Sequence, residues 1–145
     1  MFDKSTDERL SAWRDLRHEV DHSKTPLILI SEFWSQAPFI PYNRHIDPYN
    51  FKSWPTPWEI IIDNRYDDFT LAIMLAYTVK YTERYKNSVV EIRSCYNDLK
   101  TQIFNMVYID DTYVLNYKDR LTPAHISEIP TTLLLDNLVV LKNSS

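Results

Sequence analysis

The chain contains no glycine at any of its 145 positions, where ordinary usage would give about ten. Left-handed backbone must then be built from asparagine and aspartate, or avoided. Nine asparagines are present, and Asp63-Asn64-Arg65 is the foremost candidate for such a turn. The same absence excludes several functions at once. P-loops, dinucleotide fingerprints, EF-hand loops and G-x-S-x-G elbows all require glycine. A single cysteine, Cys95, excludes an intrachain disulfide framework and any zinc site made of several thiolates.

With 44% hydrophobic and 14% aromatic residues, the chain has enough apolar material for one ordinary core, so a single domain over 1–145 is expected. Sixteen Lys+Arg against twenty Asp+Glu give a net charge of −4. That balance supports no broad basic surface for nucleic acid or an anionic membrane. No apolar run is long enough to cross a bilayer; the longest, near the C-terminus, is broken by Asp136-Asn137. No apolar signal core follows Met1. The expected setting is cytoplasmic or particle-bound, without secretion by a signal peptide.

The apolar period assigns the elements. Residues 5–22 predict an amphipathic helix, capped by Ser5 or Thr6, with Glu8 placed for a capping box. Its stripe is Leu10, Trp13, Leu16 and Val20; Arg14, His18 and His22 project from the opposite side. Pro26 ends this unit, since the residue before proline resists helical dihedrals. Residues 27–34 form a short apolar element assigned as helix. Residues 36–57 carry five prolines among aromatics. They predict an ordered but irregular segment, pinned by Tyr42, Tyr49, Phe51, Trp54 and Trp58. Thr56, Pro57 and Glu59 then open a helix whose core face is Ile60, Ile61 and Ile62. A long helix is expected over 67–85, buried along Phe69, Ala72, Ile73, Ala76 and Val79 or Lys80, with Leu75 and Tyr77 widening the stripe. The period then switches to two. Strands are expected over 89–96, 102–109 and 112–117, with turns at Asn97-Asp98 and Asp110-Asp111. A last strand is expected over 133–141. Helices followed by an antiparallel meander define an α+β layout, with the long helix packed on one sheet face.

Two motifs bear on chemistry. His18-Glu19-Val20-Asp21-His22 is an H-E-x-x-H, which on a helix places two zinc-binding imidazoles on one face with Glu19 as general base. A zinc-dependent hydrolase is thus the alternative function, with Glu32 or His45 as the extra ligand. Both histidines oppose the apolar stripe, however, and the helix ends at the second, as on a solvated charged face. Cys95 sits in a strand with no histidine near it, as a small buried hydrophobe does.

The second motif is spread along the middle of the chain. Trp54-Pro55-Thr56-Pro57-Trp58-Glu59 leads to Tyr66-Asp67-Asp68-Phe69 at the start of the long helix. Phe104-Asn105-Met106-Val107 and Val114-Leu115-Asn116 follow in the strands. In order and spacing these runs resemble the bacterial transglutaminase-like cysteine proteinases over residues 25–130. The 1–24 helix precedes that region, and a C-terminal strand and tail, 131–145, follow it. The resemblance implies a papain-like fold with a Cys-His-Asp triad. It puts Tyr66 at the nucleophile's position, Asn105 at the base's and Asn116 at the orienting carboxylate's. A tyrosine of ordinary pKa near 10 does not replace a thiolate, and asparagine accepts no proton at neutral pH.

The expectation is therefore a catalytically inactive transglutaminase-like domain that acts as a structural or protein-binding module. The setting expected for it is a component or assembly factor of a tailed-phage particle. No cofactor and no metal are expected in this reading, and the partners are proteins. Tyr42, Tyr49 and Trp58 are the candidate partner-binding residues, because Tyr and Trp concentrate interface energy.

Overall fold

Ser5 opens the first helix, α1 (Thr6–His22), by accepting the Glu8 N–H on its hydroxyl, which in turn donates to the Glu8 carboxylate at 2.9 Å. The capping box is thus half formed, with the glutamate turned to the hydroxyl instead of the backbone. The structure is a computed structural model that describes residues 1–40, 47, 49–96, 103–117, 121–130 and 134–141. Trp13, Leu16 and Val20 are buried along α1, as the stripe predicts, and Arg9 joins them. Arg9 is tolerated there because its guanidinium donates to the carbonyls of Lys4, Ile61 and Ile62 and to the Thr6 hydroxyl.

Helix α2 (Pro26–Trp34) starts with proline at a position where the missing N–H costs nothing. Helix α3 (Pro57–Asp63) carries a full capping box between Thr56 and Glu59, a device that stabilises a helix by about 1 kcal/mol. Ile60 and Ile61 are buried, but Ile62 is 54% exposed. Consecutive helical residues lie about 100° apart, so three in a row cannot share one face. Asn64 ends α3 at φ 55°. Asp110, Asp111 and Asn116 also have positive φ. Among the described residues, every left-handed position is thus filled by Asn or Asp, as a chain without glycine requires.

The central helix α4 (Asp68–Lys80) is buried almost all round. It is shorter than the expected 67–85. Tertiary capture overrides the periodicity beyond Lys80. The Asp21 carboxylate accepts the Glu83 and Arg84 N–H groups, and the Lys80 ammonium donates to the carbonyls of Lys86 and Ser88.

The five strands are β1 (Val90–Tyr96), β2 (Ile103–Ile109), β3 (Tyr113–Leu115), β4 (Ala124–His125) and β5 (Leu134–Leu141). All pairings are antiparallel, in the order β4-β3-β2-β1-β5. The first three make the expected meander, β4 extends it by a short strand that the irregular pattern after Pro123 does not predict, and β5 returns to the free edge of β1. Asp110 and Asp111 form the β2–β3 turn, and the Thr112 N–H closes it on the Ile109 carbonyl. Two positive-φ residues there match the right-handed strand twist. The Asn97-Asp98 turn lies outside the described residues.

Strand alternation gives the sheet two apolar faces. Val90, Ile92, Val107, Ile109 and Leu115 join the main core with α4, and Met106, Tyr108, Val114, Ala124 and Ile129 form a smaller core on the reverse side. In the irregular segment before α3, Trp54 is buried and stacks edge-on against Phe69. Tyr49 is exposed and does not pin this segment; the buried Trp54 does, with the half-exposed Phe51 ring set edge-on against it at 5.1 Å. Tyr42 lies outside the described residues.

Candidate functional site

The N-terminus of α4 is fixed from three sides. Upstream, Tyr66 pairs with the 38–40 stretch. Its N–H donates to the Pro38 carbonyl at 3.2 Å, and its carbonyl accepts from Ile40 N–H at 2.8 Å. Extended backbone at Tyr66 then leads into Asp67, the N-cap. Asp67 accepts both the Thr70 N–H and the Thr70 hydroxyl at 2.7 Å, while the Thr70 hydroxyl oxygen receives the Asp67 N–H. Two acidic residues in succession can divide the work at a helix start. Asp67 caps, which leaves Asp68 free to reach the sheet.

Asp68 does reach it. Its Oδ2 accepts the Asn105 N–H at 2.7 Å and the Asn105 side-chain amide at 3.0 Å, and its Oδ1 accepts the Asn116 amide at 3.0 Å. The Asn116 amide also donates to the Asn105 carbonyl at 2.9 Å. The carboxylate further gains from the positive end of the α4 dipole. Asn105 lies in β2 on the face toward α4, and Asn116 follows β3. The sequence predicts a strand through 117, but β3 ends at Leu115. Asn116 turns to φ 63° instead, and this left-handed step carries its amide onto Asp68.

Asn105 and Asn116 therefore meet, and the group that joins them is Asp68. Tyr66 faces elsewhere. Its ring is fully buried, 5.7 Å from Phe2 and 5.6 Å from Trp34 between centroids. Its hydroxyl is buried with no hydrogen-bond partner among the described residues. Burial, partly offset by Arg9, pushes the phenol far above its ordinary pKa. Ser94 stands opposite Asn105 in the sheet register, 2% exposed, and its hydroxyl has no partner among the described residues. Asp68 stands inside the quoted run without a role there, and Ser94 stands outside every motif. For Asp68 a signal existed: a helix needs one N-cap, so the second carboxylate of Asp67-Asp68 is spare.

The remaining candidates do not converge on this site. His18, Glu19 and His22 lie exposed on α1, and Glu32 is exposed on α2. Glu19 and Glu32 line a shallow groove of about 420 Å³ between those helices, floored by Ala12, Leu16, Leu29 and Phe33. His45 lies outside the described residues. Among the described residues no three His, Cys, Asp or Glu side chains gather as a metal cluster. Cys95 pairs with Phe104 within the β1–β2 ladder. Tyr49 is 72% exposed, and Trp58 is 46% exposed on α3. Among the described residues no helix is long and apolar enough to cross a membrane.

This arrangement of α4 against an antiparallel sheet defines a transglutaminase-like fold. A solved structure that shares it is calcium-bound LapG of Legionella pneumophila, a bacterial transglutaminase-like cysteine protease. The two chains are 18% identical with a TM-score of 0.64, over 96% of this chain and 77% of that one. At this identity the likeness is one of fold. No protein-family model and no curated protein matches the sequence.

Proposed function

We propose that this chain is a protein-binding module on a transglutaminase-like fold, and that the junction at the α4 N-terminus does no acyl-transfer chemistry. The observation that carries the reading is the amide identity of Asn105 and Asn116, which meet on the Asp68 carboxylate. In the proposed alignment, Asn105 and Asn116 stand where the family has its base and its orienting carboxylate. Acyl transfer requires a group that takes a proton from the nucleophile, and neither amide does so at neutral pH. Tyr66, at the nucleophile's position, holds a buried hydroxyl whose ionisation burial opposes. Among the described residues, the Asp68 oxygens accept three N–H donors from these two asparagines.

LapG was solved with calcium, so the same cation deserves a fit test in this chain. Calcium takes six to eight oxygen ligands. The Asp68 carboxylate is ringed by amide donors, which repel a cation, and no metal cluster forms among the described residues. Among the described residues, one carboxylate surrounded by N–H donors does not supply the oxygen ligands calcium takes.

The test is a peptidase and transglutaminase assay of the full chain on casein and fluorogenic peptides, with and without calcium. The expected result is no turnover above buffer. Turnover that disappears in Asn105→Ala and Asp68→Ala, with folding retained by circular dichroism, overturns the reading.

A further inference from the structure

The ring of Trp13 is the meeting point of three side chains from three parts of the chain. Arg17, one turn further along α1, leans back over the indole with its guanidinium carbon 4.3 Å from the centroid. Trp58 of α3 meets the same indole edge-on at 5.9 Å, and Tyr81, just past α4, lies at 6.2 Å. Trp58 and Tyr81 are themselves 5.9 Å apart, and Tyr77 extends the row at 5.2 Å from Tyr81. Trp13 is sealed, but Trp58 is 46% exposed, Tyr81 40% and Ile62, one turn after Trp58, 54%. Large apolar groups thus reach solvent side by side.

Arg17 makes this patch unusual within the molecule. Arg9, Arg84 and Arg93 each donate to carbonyls or carboxylates. Among the described residues Arg17 has no carboxylate within ion-pair distance, and its Nε–H is buried without an acceptor. Asp21, one turn on, is placed to pair with it by sequence spacing, but its oxygens accept the Glu83 and Arg84 N–H groups instead. Arg14, one turn before, adds a second cation. The Nε–H has no access to solvent, so an incoming carboxylate meets the outer Nη groups of the planar fork and offsets the charge that the indole leaves partly desolvated.

We propose that Arg17, Trp58 and Tyr81 form the docking surface of the binding module, and that it takes a partner-protein segment presenting an acidic residue flanked by apolar side chains. The proposal rests on the binding reading above and adds the place and the chemistry. Trp, Tyr and Arg are the residue types that dominate interface energetics. The unpaired cation selects an acidic occupant, and the exposed indole, phenol and Ile62 select apolar neighbours for it. Two arginines beside Asp15 and Asp21 make no basic stripe, so nucleic acid is the poorer match.

The experiment pans a random dodecapeptide display library against the immobilised full chain, then measures the synthesised winners by fluorescence anisotropy. Enriched peptides are expected to carry Asp or Glu next to aromatic or aliphatic residues. Their affinity should fall about tenfold or more in Arg17→Gln and in Trp58→Ala. Arg17→Glu, which leaves Trp13, Trp58 and Tyr81 in place, should move the enrichment from acidic to basic peptides and covers the case in which Trp58→Ala misfolds. Winners without an acid, winners that bind both variants like the parent, tighter binding of a DNA oligonucleotide, or no enrichment each overturn this surface. Winners insensitive to both variants leave the binding reading standing; the turnover assay tests that reading separately.

Discussion

Helix α4 carries a polar junction near each end, and the two are built on different principles. Near the C-terminal end, the Thr78 hydroxyl accepts the Trp13 and Trp34 indole N–H groups at 2.9 and 3.0 Å and donates to the Met74 carbonyl at 2.6 Å. One donor and two acceptor sites are all used, so a neutral group sits in the core with no exposure. At the N-terminal end, Asp68 brings a charge. It is held at the margin of the core, where a helix dipole and three amide N–H groups stabilise it. The first junction ties α1 and α2 to α4, and the second ties the sheet to α4. A neutral junction tolerates full burial, whereas a charged one needs compensating dipoles and some access to water.

That contrast ranks the substitutions. Thr78→Val keeps the shape but strands two buried indole donors. A loss of about 3 kcal/mol is expected in urea unfolding followed by tryptophan fluorescence. Thr78→Ser keeps the hydroxyl and should lose only about 1 kcal/mol, the worth of one methyl group. Equal losses in both variants would mean that packing, and not the shared hydroxyl, holds α1 and α2.

Asp68→Ala comes next. Its three donors are left partly wetted, so about 1.5 kcal/mol is expected, half the cost of the buried junction. A double-mutant cycle with Asn116→Ala should show coupling of about 0.5 kcal/mol or more, since both act in one network. If Asp68→Ala proved costlier than Thr78→Val, the order argued from burial would be reversed.

The two junctions also differed in how far they could be read from residues alone. Thr56-Pro57-Trp58-Glu59 announced α3 because capping chemistry is local. Leu10, Trp13, Leu16 and Val20 announced the inner face of α1 for the same reason. No local pattern joins Asn105 to Asn116; only the resemblance to the transglutaminase-like proteinases sets them side by side. The end of α4 was not legible, because Asp21 and the carbonyls of Lys86 and Ser88 capture that segment from outside it. Thr78 gave no signal at all: its meaning lies in two indoles from distant helices. Asn116 misled in one respect. Its place in V-L-N looks like strand, but its φ of 63° is a backbone demand that asparagine also satisfies.

Tyr66 supplies the smallest effect and the sharpest test of where the two junctions end. It immediately precedes the Asp67-Asp68 start of α4, yet it belongs to the aromatic core of Phe2 and Trp34. A buried hydroxyl without a partner costs stability, so Tyr66→Phe should gain about 1 kcal/mol at neutral pH. Alkaline pH gives an independent check. Burial raises the Tyr66 phenol above its ordinary value of 10.0. The unfolded chain therefore releases this proton from about pH 10 upward, while the folded chain keeps it. Stability is complete below that pH and falls as pH rises above it, by about 1.4 kcal/mol per unit for Tyr66. Burial raises Tyr77, Tyr81 and Tyr85 as well, so Tyr66→Phe should shallow the alkaline slope without abolishing it. A variant less stable at neutral pH, with an unchanged slope, would mean that the hydroxyl has a partner and an exit to solvent. Tyr66 would then belong with Asp68, Asn105 and Asn116, and the boundary between core and junction would have to be redrawn around it.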